Sequence, residues 1–283
     1  MASIAVYTHP LDRLYQWRAG WPPYSYNYLL SHALRALFFR GHKIRIVKEP
    51  KPVSADLAIL HVDATVVDPA YMALAGAFGR AINFRAGDIS KRKVSRSLVA
   101  PGDPWPGKVI VKSDLNYGGL VEARRNRAAA ARGMAAPYSG AGEKAVYDIY
   151  DSIAAVPDAV WRDGALVVEK FMPEIDPDGY AMRTWVFMGG EGRCFRHVAT
   201  VPVIKSHGII RSEPVDPPEE MFAERERLGI DFGKFDFVVY DGRPVLLDAN
   251  KTPGAPAMAR DMRRRIAGRM ADGVEGFLAG RAA

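Results

Sequence analysis

KFDFVVYDGRPVLLDANKTPG, residues 234–254, is the stretch that decides how this chain folds. Apolar residues flank the dipeptide Asp241-Gly242 on both sides, and Asp-Gly between such runs is a strong signal for a tight hairpin turn. The pattern therefore predicts two antiparallel strands, over residues 235–240 and 244–247.

Three potential oxygen ligands lie on this hairpin. Asp248 and Asn250 are two residues apart at the end of the second strand, so the strand period of two places them on one face. Pairing of the strands brings Asp236 close to the same face. Two carboxylates and one carboxamide suit a hard divalent cation such as Mg²⁺ that is shared with phosphate oxygens. A surface hairpin whose acids face solvent is the alternative interpretation.

Length and composition indicate a globular protein. A chain of 283 residues predicts about two domains, and a hydrophobic fraction of 48% with a charged fraction of 25% argues against disorder. No apolar run is long enough to span a bilayer and no secretory signal is evident, so we expect a cytoplasmic protein without a membrane partner. Cys194 is the single cysteine, which excludes an internal disulfide.

The net charge of +7 and the isoelectric point near 9.4 favour an anionic ligand. A nucleoside triphosphate and a nucleic acid would both suit this charge, and charge alone does not choose between them. The sequence contains no zinc-finger, RRM or KH pattern, so a nucleic-acid partner is the less favoured of the two.

Residues 1–98 predict an open α/β domain. Strands are indicated by apolar and β-branched runs at residues 3–8, 43–47, 57–62 and 81–84. One helix between them carries an apolar face and ends at Gly41, and a second, with Asp68 as its N-cap and Pro69 at its first position, is predicted to run to Gly79. Strands that alternate with helices imply a parallel sheet. The absence of a GxGxxG pattern argues against a Rossmann dinucleotide site.

The remaining chain predicts further strands and helices. Strands are indicated over residues 108–112, 165–170 and 180–188, and helices over residues 122–132 and 143–156. The C-terminal segment, residues 256–278, is amphipathic, and its apolar side consists of Met258, Met262, Ile266 and Met270. The first loop is crowded with aromatic residues, for which coverage of the sheet edge is favoured over substrate recognition: Tyr15, Trp17, Trp21, Tyr24, Tyr26 and Tyr28.

The order of motifs from Lys91 to Gly254 resembles the ATP-grasp superfamily. In that superfamily a basic residue precedes a metal-binding Asp by two positions, and Glu-x-Asn follows a strand pair; Lys234, Asp236, Asp248 and Asn250 stand at these positions here. Asp248 departs from the usual Glu, which makes bridging of two metal ions less certain. The resemblance implies a two-lobed α+β ATP-grasp domain after the parallel-sheet domain, with the small lobe at residues 99–168 and the large lobe at 169–283.

The resemblance also implies how ATP is bound. Lys91, seven residues before Leu98, and Lys112 would contact the nucleotide, with Lys93 as the competitor of Lys91. Gly118 and Gly119 would let backbone N–H groups approach the phosphates. The adenine-binding positions of the superfamily are matched by Glu169, Lys170, Phe171 and Met172. The ribose-binding position is matched by Glu174.

The acceptor side of the site follows from the same resemblance. Arg183 matches an Arg that contacts phosphate or substrate, although Ala181 replaces the Asp that often precedes it by two positions. Lys205 and Arg211 would line the acceptor side, and Lys234 would help offset the charge of the transferred phosphoryl group.

The function implied is an ATP- and Mg²⁺-dependent ligase that joins a carboxylate to an amine or thiol through an acyl phosphate. The substrates would be small molecules or a peptide, and specificity is expected in the N-terminal aromatic loop, including Tyr26, and in residues 197–211. The alternatives are an ATP-grasp kinase or phosphotransferase and a non-catalytic nucleotide-binding or RNA-binding protein. The oligomeric state stays open, with a homodimer as one possibility.

Overall fold

The computed structural model describes residues 1–16, 21–24, 28–139, 141–142, 147–255 and 260–280. These residues form three main sheets and one two-stranded ribbon. None of the described helices is long and apolar enough to cross a bilayer. The N-terminal elements are β1 (Ser3–Tyr7), β2 (Tyr15–Gln16), β3 (Pro23–Tyr24), α1 (Leu29–Phe39), β4 (Lys43–Val47), β5 (Leu57–Leu60), α2 (Pro69–Met72), β6 (Ala81–Ile82) and α3 (Lys91–Val94).

The N-terminal sheet is parallel, as the sequence predicted. Its strand order is β4, β1, β5, β6, and every pairing in it is parallel. Strand β5 is buried along its whole length, which suits a parallel strand covered on both faces. Helix α1 packs its predicted apolar face into the core, with Leu30, Ala33, Leu34 and Leu37 all buried.

The second predicted helix of this domain is shorter than expected. Asp68 accepts a hydrogen bond from the Ala70 N–H at 2.8 Å, so it caps α2 as predicted, but α2 ends at Met72 and only a 3₁₀ turn follows over Ala75–Ala77. Gly76 lies within that turn, and a helix-interior glycine costs about 1 kcal/mol relative to alanine. The continuation to Gly79 was therefore wrong.

The middle of the chain forms a small antiparallel sheet in the order β8, β7, β9. Helix α4 confirms the first predicted helix, but the second is wrong for the described part, because residues 147–150 form a strand instead. Pairing with the edge of β7 gives this segment backbone hydrogen bonds, and its tyrosine and isoleucine residues favour strands. The elements are β7 (Val109–Ser113), α4 (Leu120–Ala130), β8 (Tyr147–Tyr150), α5 (Asp158–Arg162) and β9 (Leu166–Lys170).

The large C-terminal sheet carries the predicted hairpin. Its strand order is β13, β12, β11, β14, β15, and β10 pairs with the start of β11. The elements are β10 (Glu174–Asp176), β11 (Gly179–Met188), β12 (Glu191–Ala199), β13 (Ile209–Val215), α6 (Glu219–Leu228), β14 (Phe232–Tyr240), β15 (Arg243–Asn250) and α7 (Arg260–Leu278). The predicted turn is correct: Asp241 and Gly242 have φ angles of 48° and 73°, which match a type I′ hairpin.

One hydrophobic core joins the first and last parts of the chain. Residues of α1 and of the N-terminal sheet pack together with Met188, Phe232, Met270 and Val274. The predicted apolar side of the C-terminal helix thus faces this core at Met270, with Ile266 partly buried against it. Met258, Trp17 and Tyr26 lie outside the described residues. The predicted lobe boundary at residue 168 falls inside β9, and the division into domains stays a prediction.

A buried ion pair connects the loop after β1 to helix α4. Arg125 of α4 donates to the Asp12 carboxylate at 2.7 Å, and both side chains are 3% exposed. Asp12 also accepts from the Asp63 N–H at 2.9 Å. Breaking a buried pair of this kind destabilises the folded protein strongly, because loss of one partner leaves the other charge buried and uncompensated.

Replacing Asp12 by Asn should therefore lower the free energy of unfolding by about 3 kcal/mol or more, because Arg125 would stay buried without a counter-charge. Urea unfolding followed by circular dichroism measures this change. The matched control is Asp151→Asn, which breaks an exposed pair with Lys108 and should change little. Equal effects of both substitutions would contradict the structural importance of the buried pair.

Candidate active site

The β14–β15 hairpin brings the predicted acidic residues together. Its register places Asp236 opposite Asp248 and Lys234 opposite Asn250. Directly opposed residues of an antiparallel pair project to the same face, so these four side chains share one face of the large sheet. The geometry agrees with the strand-period argument made from the sequence.

A β-bulge at Leu247 allows this arrangement. Phe237 pairs with Leu246 whereas Asp236 pairs with Asp248, so Leu247 is an extra residue in β15. Strict alternation would place Leu246 and Asp248 on the same face. With the bulge, Leu246 packs into the core while Asp248 faces the opposite side. The sequence pattern did not indicate the bulge.

Each carboxylate is held by a lysine. The Lys91 ammonium group, at the start of α3, forms a short ion pair with Asp248, and Lys234 contacts the Asp236 carboxylate at 2.6 Å. Asp236 also accepts a hydrogen bond from the Thr184 hydroxyl at 2.8 Å. Burial favours the neutral amines, but the neighbouring carboxylates outweigh it and raise the pKa of Lys91 and of Lys234. Both lysines therefore stay charged at neutral pH.

A third lysine–carboxylate pair lies on the small sheet. Lys112 of β7 contacts the Glu169 carboxylate of β9 at 2.6 Å, and both side chains are buried. The other oxygen of Glu169 is buried without a hydrogen-bond partner among the described residues. Its free oxygen makes this pair a candidate for contact with a bound ligand.

A cavity of about 160 Å³ lies between the small and large sheets and collects most of the predicted residues. Apolar side chains cover one part of it, including Ile110, Met182, Val238 and Leu247. The predicted residues that line it are Lys91, Lys112, Lys170, Phe171, Met172, Glu174, Lys205, Asp236 and Asp248. Lys234, Asn250 and Glu169 do not line the cavity. Lys234 and Glu169 each form an ion pair with a residue that does, Asp236 and Lys112 respectively, whereas Asn250 pairs in the strand register with Lys234.

The two predicted arginines lie elsewhere. Arg183 pairs in register with Phe237, on the sheet face opposite Asp236, and its guanidinium group contacts Glu174. Arg211 contacts Asp176 at 3.1 Å. Neither lines the cavity, and both belong to a network of ion pairs along β10 to β13. Their roles in phosphate or substrate binding stay predictions.

The predicted glycines lie in a loop with left-handed backbone angles, which glycine adopts more easily than other residues. Gly118 and Gly119 have φ angles of 67° and 78°, and Tyr117 before them has a φ of 50°. A Cβ atom at Gly119 would lie 3.1 Å from the backbone of Ala141, so the space is also restricted. The loop leads into α4 but does not line the cavity.

Sequence analysis missed two residues of this region. Tyr147 lines the cavity, and its ring lies 5.8 Å from the Lys205 ammonium group; identification of β8 as a strand would have revealed it. Lys251 is 1% exposed, and its ammonium group donates to the Thr65 carbonyl at 3.2 Å. Burial lowers the pKa of Lys251 to about 7. No local signal distinguishes this buried lysine from a surface lysine.

The oxygen donors around Asp236 and Asp248 can supply part of the ligand shell of a divalent cation. The described residues contain no group of three or more His, Cys, Asp or Glu side chains that could hold a metal ion. Two carboxylates and Asn250 are nevertheless hard oxygen donors, and the Asn250 side-chain oxygen accepts hydrogen bonds from the Thr252 N–H and hydroxyl at 2.8 and 3.3 Å. The residues present fit Mg²⁺ that completes its shell with water and phosphate oxygens.

No protein-family model and no curated protein sequence matches the chain. D-Alanine–D-alanine ligase from Bacillus anthracis is similar at a TM-score of 0.48 and 15% identity, over 99% of this chain and 97% of that one. The ATP-grasp ligase PsnB complexed with minimal precursor has a TM-score of 0.53 at 15% identity, over 97% of this chain and 99% of PsnB. PsnB with minimal precursor, Mg and ADP gives 0.53 at 13% identity, over 97% of both chains. The chain has the ATP-grasp fold, as its motifs predicted.

The buried Lys251 leads to a prediction about stability. Its pKa is about 7 in the folded protein and 10.5 ordinarily, so between these values the folded state binds fewer protons than the unfolded state. The free energy of unfolding therefore rises with pH in this window, by at most about 1.4 kcal/mol per pH unit. Lys251→Met lacks this dependence, so its stability advantage over the parent should shrink as the pH is raised from about 7 to about 9.

Urea unfolding of both proteins across this pH range measures the difference. Lys48→Met is the matched control, because Lys48 is exposed and its replacement should shift stability equally at each pH. A constant difference between Lys251→Met and the parent would contradict the lowered pKa.

Proposed function

We propose that this protein is an ATP-dependent ligase that joins a carboxylate to an amine or thiol through an acyl phosphate. The observation that carries the proposal is the pair of facing carboxylates, Asp236 and Asp248, each held by a lysine beside a cavity between two sheets. PsnB, which has the same fold, has been solved with Mg and ADP, and these ligands are our proposal for this chain.

The nucleotide is proposed to lie in the 160 Å³ cavity with its base among the apolar side chains. The segment from Lys170 to Met172, which links β9 to β10, is the candidate for backbone contacts with adenine, and Glu174 is the candidate for the ribose. The phosphates would then extend towards Lys91 and Lys112. Charged lysines in a partly dry cavity bind phosphate oxygens more strongly than they would in water.

The proposed cation ligands are Asp236, Asp248 and Asn250. Bound Mg²⁺ would neutralise phosphate charge and favour transfer of the terminal phosphoryl group. Without phosphates the two carboxylates have Lys91 and Lys234 as counter-ions. With phosphates present, the same lysines can turn towards phosphate oxygens, so the charge of the site stays balanced in both states.

The reaction proposed needs no covalent enzyme nucleophile. A substrate carboxylate attacks the terminal phosphorus of ATP, ADP leaves, and the amine or thiol then displaces phosphate from the acyl phosphate. The protein contributes position and charge: Lys91 and Lys112 bind the phosphates, and Lys205 at the cavity edge is the candidate for holding the substrate carboxylate. The proposed substrate is either a small molecule or a peptide, and analysis of the product distinguishes these two classes.

ADP release in the presence of ATP, Mg²⁺ and pooled carboxylates and amines is the direct test, with mass spectrometry of the product. Asp236→Asn should lower turnover by about 100-fold or more, because one negative charge at the proposed cation is removed. Asp241→Asn, at the turn of the same hairpin, is the matched control and should keep full activity. A condensed product supports the ligase, a stable phosphorylated product supports a kinase, and equal turnover by Asp236→Asn would remove the cation assignment.

The Asp248 position needs a compensated variant. Asp248→Asn alone leaves Lys91 buried without its counter-charge, so a loss of activity could come from instability. The double variant Lys91→Met/Asp248→Asn removes both charges together and should keep the melting temperature nearer that of the parent than the single variant does. Loss of turnover in this folded double variant supports a direct role for the pair, whereas parental turnover would overturn it.

A further inference from the structure

A second cavity, of about 470 Å³, lies beside β12 and shares no lining residue with the first. Trp185, which lines it, pairs in register with Phe235 and Cys194. Because Asp236 follows Phe235 in its strand, Trp185 and Asp236 project to opposite faces of the large sheet. The second cavity is therefore separate from the proposed nucleotide site.

Three arginines line this cavity, and none of them has a carboxylate partner within ion-pair distance among the described residues. They are Arg193 of β12, Arg225 of α6 and Arg269 of α7. Glu191 and Asp216 also line the cavity, which leaves the arginines in excess by one charge. A cluster of unpaired guanidinium groups around an open space is suited to an anion, because their planar N–H donors match carboxylate and phosphate oxygens.

Arg225 is the buried member of this set. It is 9% exposed, donates to the Gly189 carbonyl at 3.0 Å, and its guanidinium carbon lies 4.2 Å from the ring centre of Phe187 and 5.2 Å from that of Trp185. Burial lowers the pKa of Arg225. Among the described residues, the direct contacts of Arg225 are with carbonyls and aromatic rings, and the carboxylates of Asp231 and Glu226 interact with it only from beyond ion-pair distance. A buried cation in such surroundings is stabilised when an anion comes close.

The apolar wall of the cavity is aromatic. Trp185 and Phe222 pack with ring centres 4.7 Å apart, and Phe222 is 46% exposed although it is large and apolar. A Cβ atom at Gly192 would lie 2.8 Å from the Trp185 indole nitrogen, so a glycine at this position makes room for the indole. The indole N–H has no hydrogen-bond acceptor in the described part of the chain, which leaves it available as a donor at the cavity.

We propose that this cavity is a second ligand site, which binds an organic anion with its carboxylate or phosphate at the arginines and a flat apolar group against Trp185 and Phe222. The volume is in the range of small-molecule sites. This proposal is independent of the ligase proposal, because it uses no residue of the first cavity.

Isothermal titration calorimetry of the full chain tests this site, with phenyl phosphate, benzoate and inorganic phosphate as probes. Phenyl phosphate, benzoate or both should bind, and the comparison between them distinguishes a phosphate site from a carboxylate site. The double variant Arg193→Gln/Arg269→Gln should weaken binding about tenfold or more, because charge-assisted hydrogen bonds are lost. Arg265→Gln, an exposed arginine of α7 outside the cavity, is the matched control and should bind as the parent does.

Two further measurements separate this site from the nucleotide site and probe its aromatic wall. The double variant Lys91→Met/Asp248→Asn, which changes only the first cavity, should leave the affinity for phenyl phosphate unchanged, and Phe222→Ala should weaken phenyl phosphate more than inorganic phosphate. Absence of binding of both aromatic probes at about 10 mM, loss of binding in the Lys91→Met/Asp248→Asn variant, or parental affinity in the double arginine variant would each overturn the proposal.

Discussion

Two carboxylates that face each other across paired strands repel, and the balance of this charge is the constraint on which the site depends. Asp236 and Asp248 occupy opposed positions of β14 and β15. Lys234 offsets one from the same strand, but Lys91 comes from α3, 157 residues before Asp248 in the chain. The hairpin charge is therefore balanced only when the segment after the N-terminal sheet lies against the large sheet.

Thr65, in the loop after β5, connects three other parts of the fold. Its N–H donates to Glu122 of α4 at 2.7 Å, its hydroxyl accepts from the N–H of Asn116 at 2.9 Å, and its carbonyl accepts from Lys251 at 3.2 Å. These contacts join the loop after β5 to the glycine loop, to α4 and to the residue that follows β15. The positions of the glycine loop, of α4 and of the hairpin are consequently linked through buried and partly buried hydrogen bonds, which are costly to break.

The core and the ligand face of β15 have conflicting demands that the bulge at Leu247 reconciles. Leu246 and Ala249 are both buried, yet they are three residues apart, which an uninterrupted strand would place on opposite faces. The extra residue lets both of them pack into the core while Asp248 and Asn250 keep the ligand face. A hydrophobic core and a polar site are thus built from one strand of eight residues.

Features that depend on near neighbours in the chain could be predicted from the sequence. The Asp241-Gly242 turn, the shared face of Asp248 and Asn250, the apolar face of α1 and the parallel N-terminal sheet all follow from local periodicity and turn chemistry. The folded structure was needed to establish that residues 147–150 form a strand, that Arg183 pairs with Glu174 and does not itself line the cavity, and that Lys251 is buried. Each of these depends on a pairing partner or a covering element elsewhere in the fold. The free energy of such a contact depends on burial and on the strand register, which no local pattern in the chain encodes.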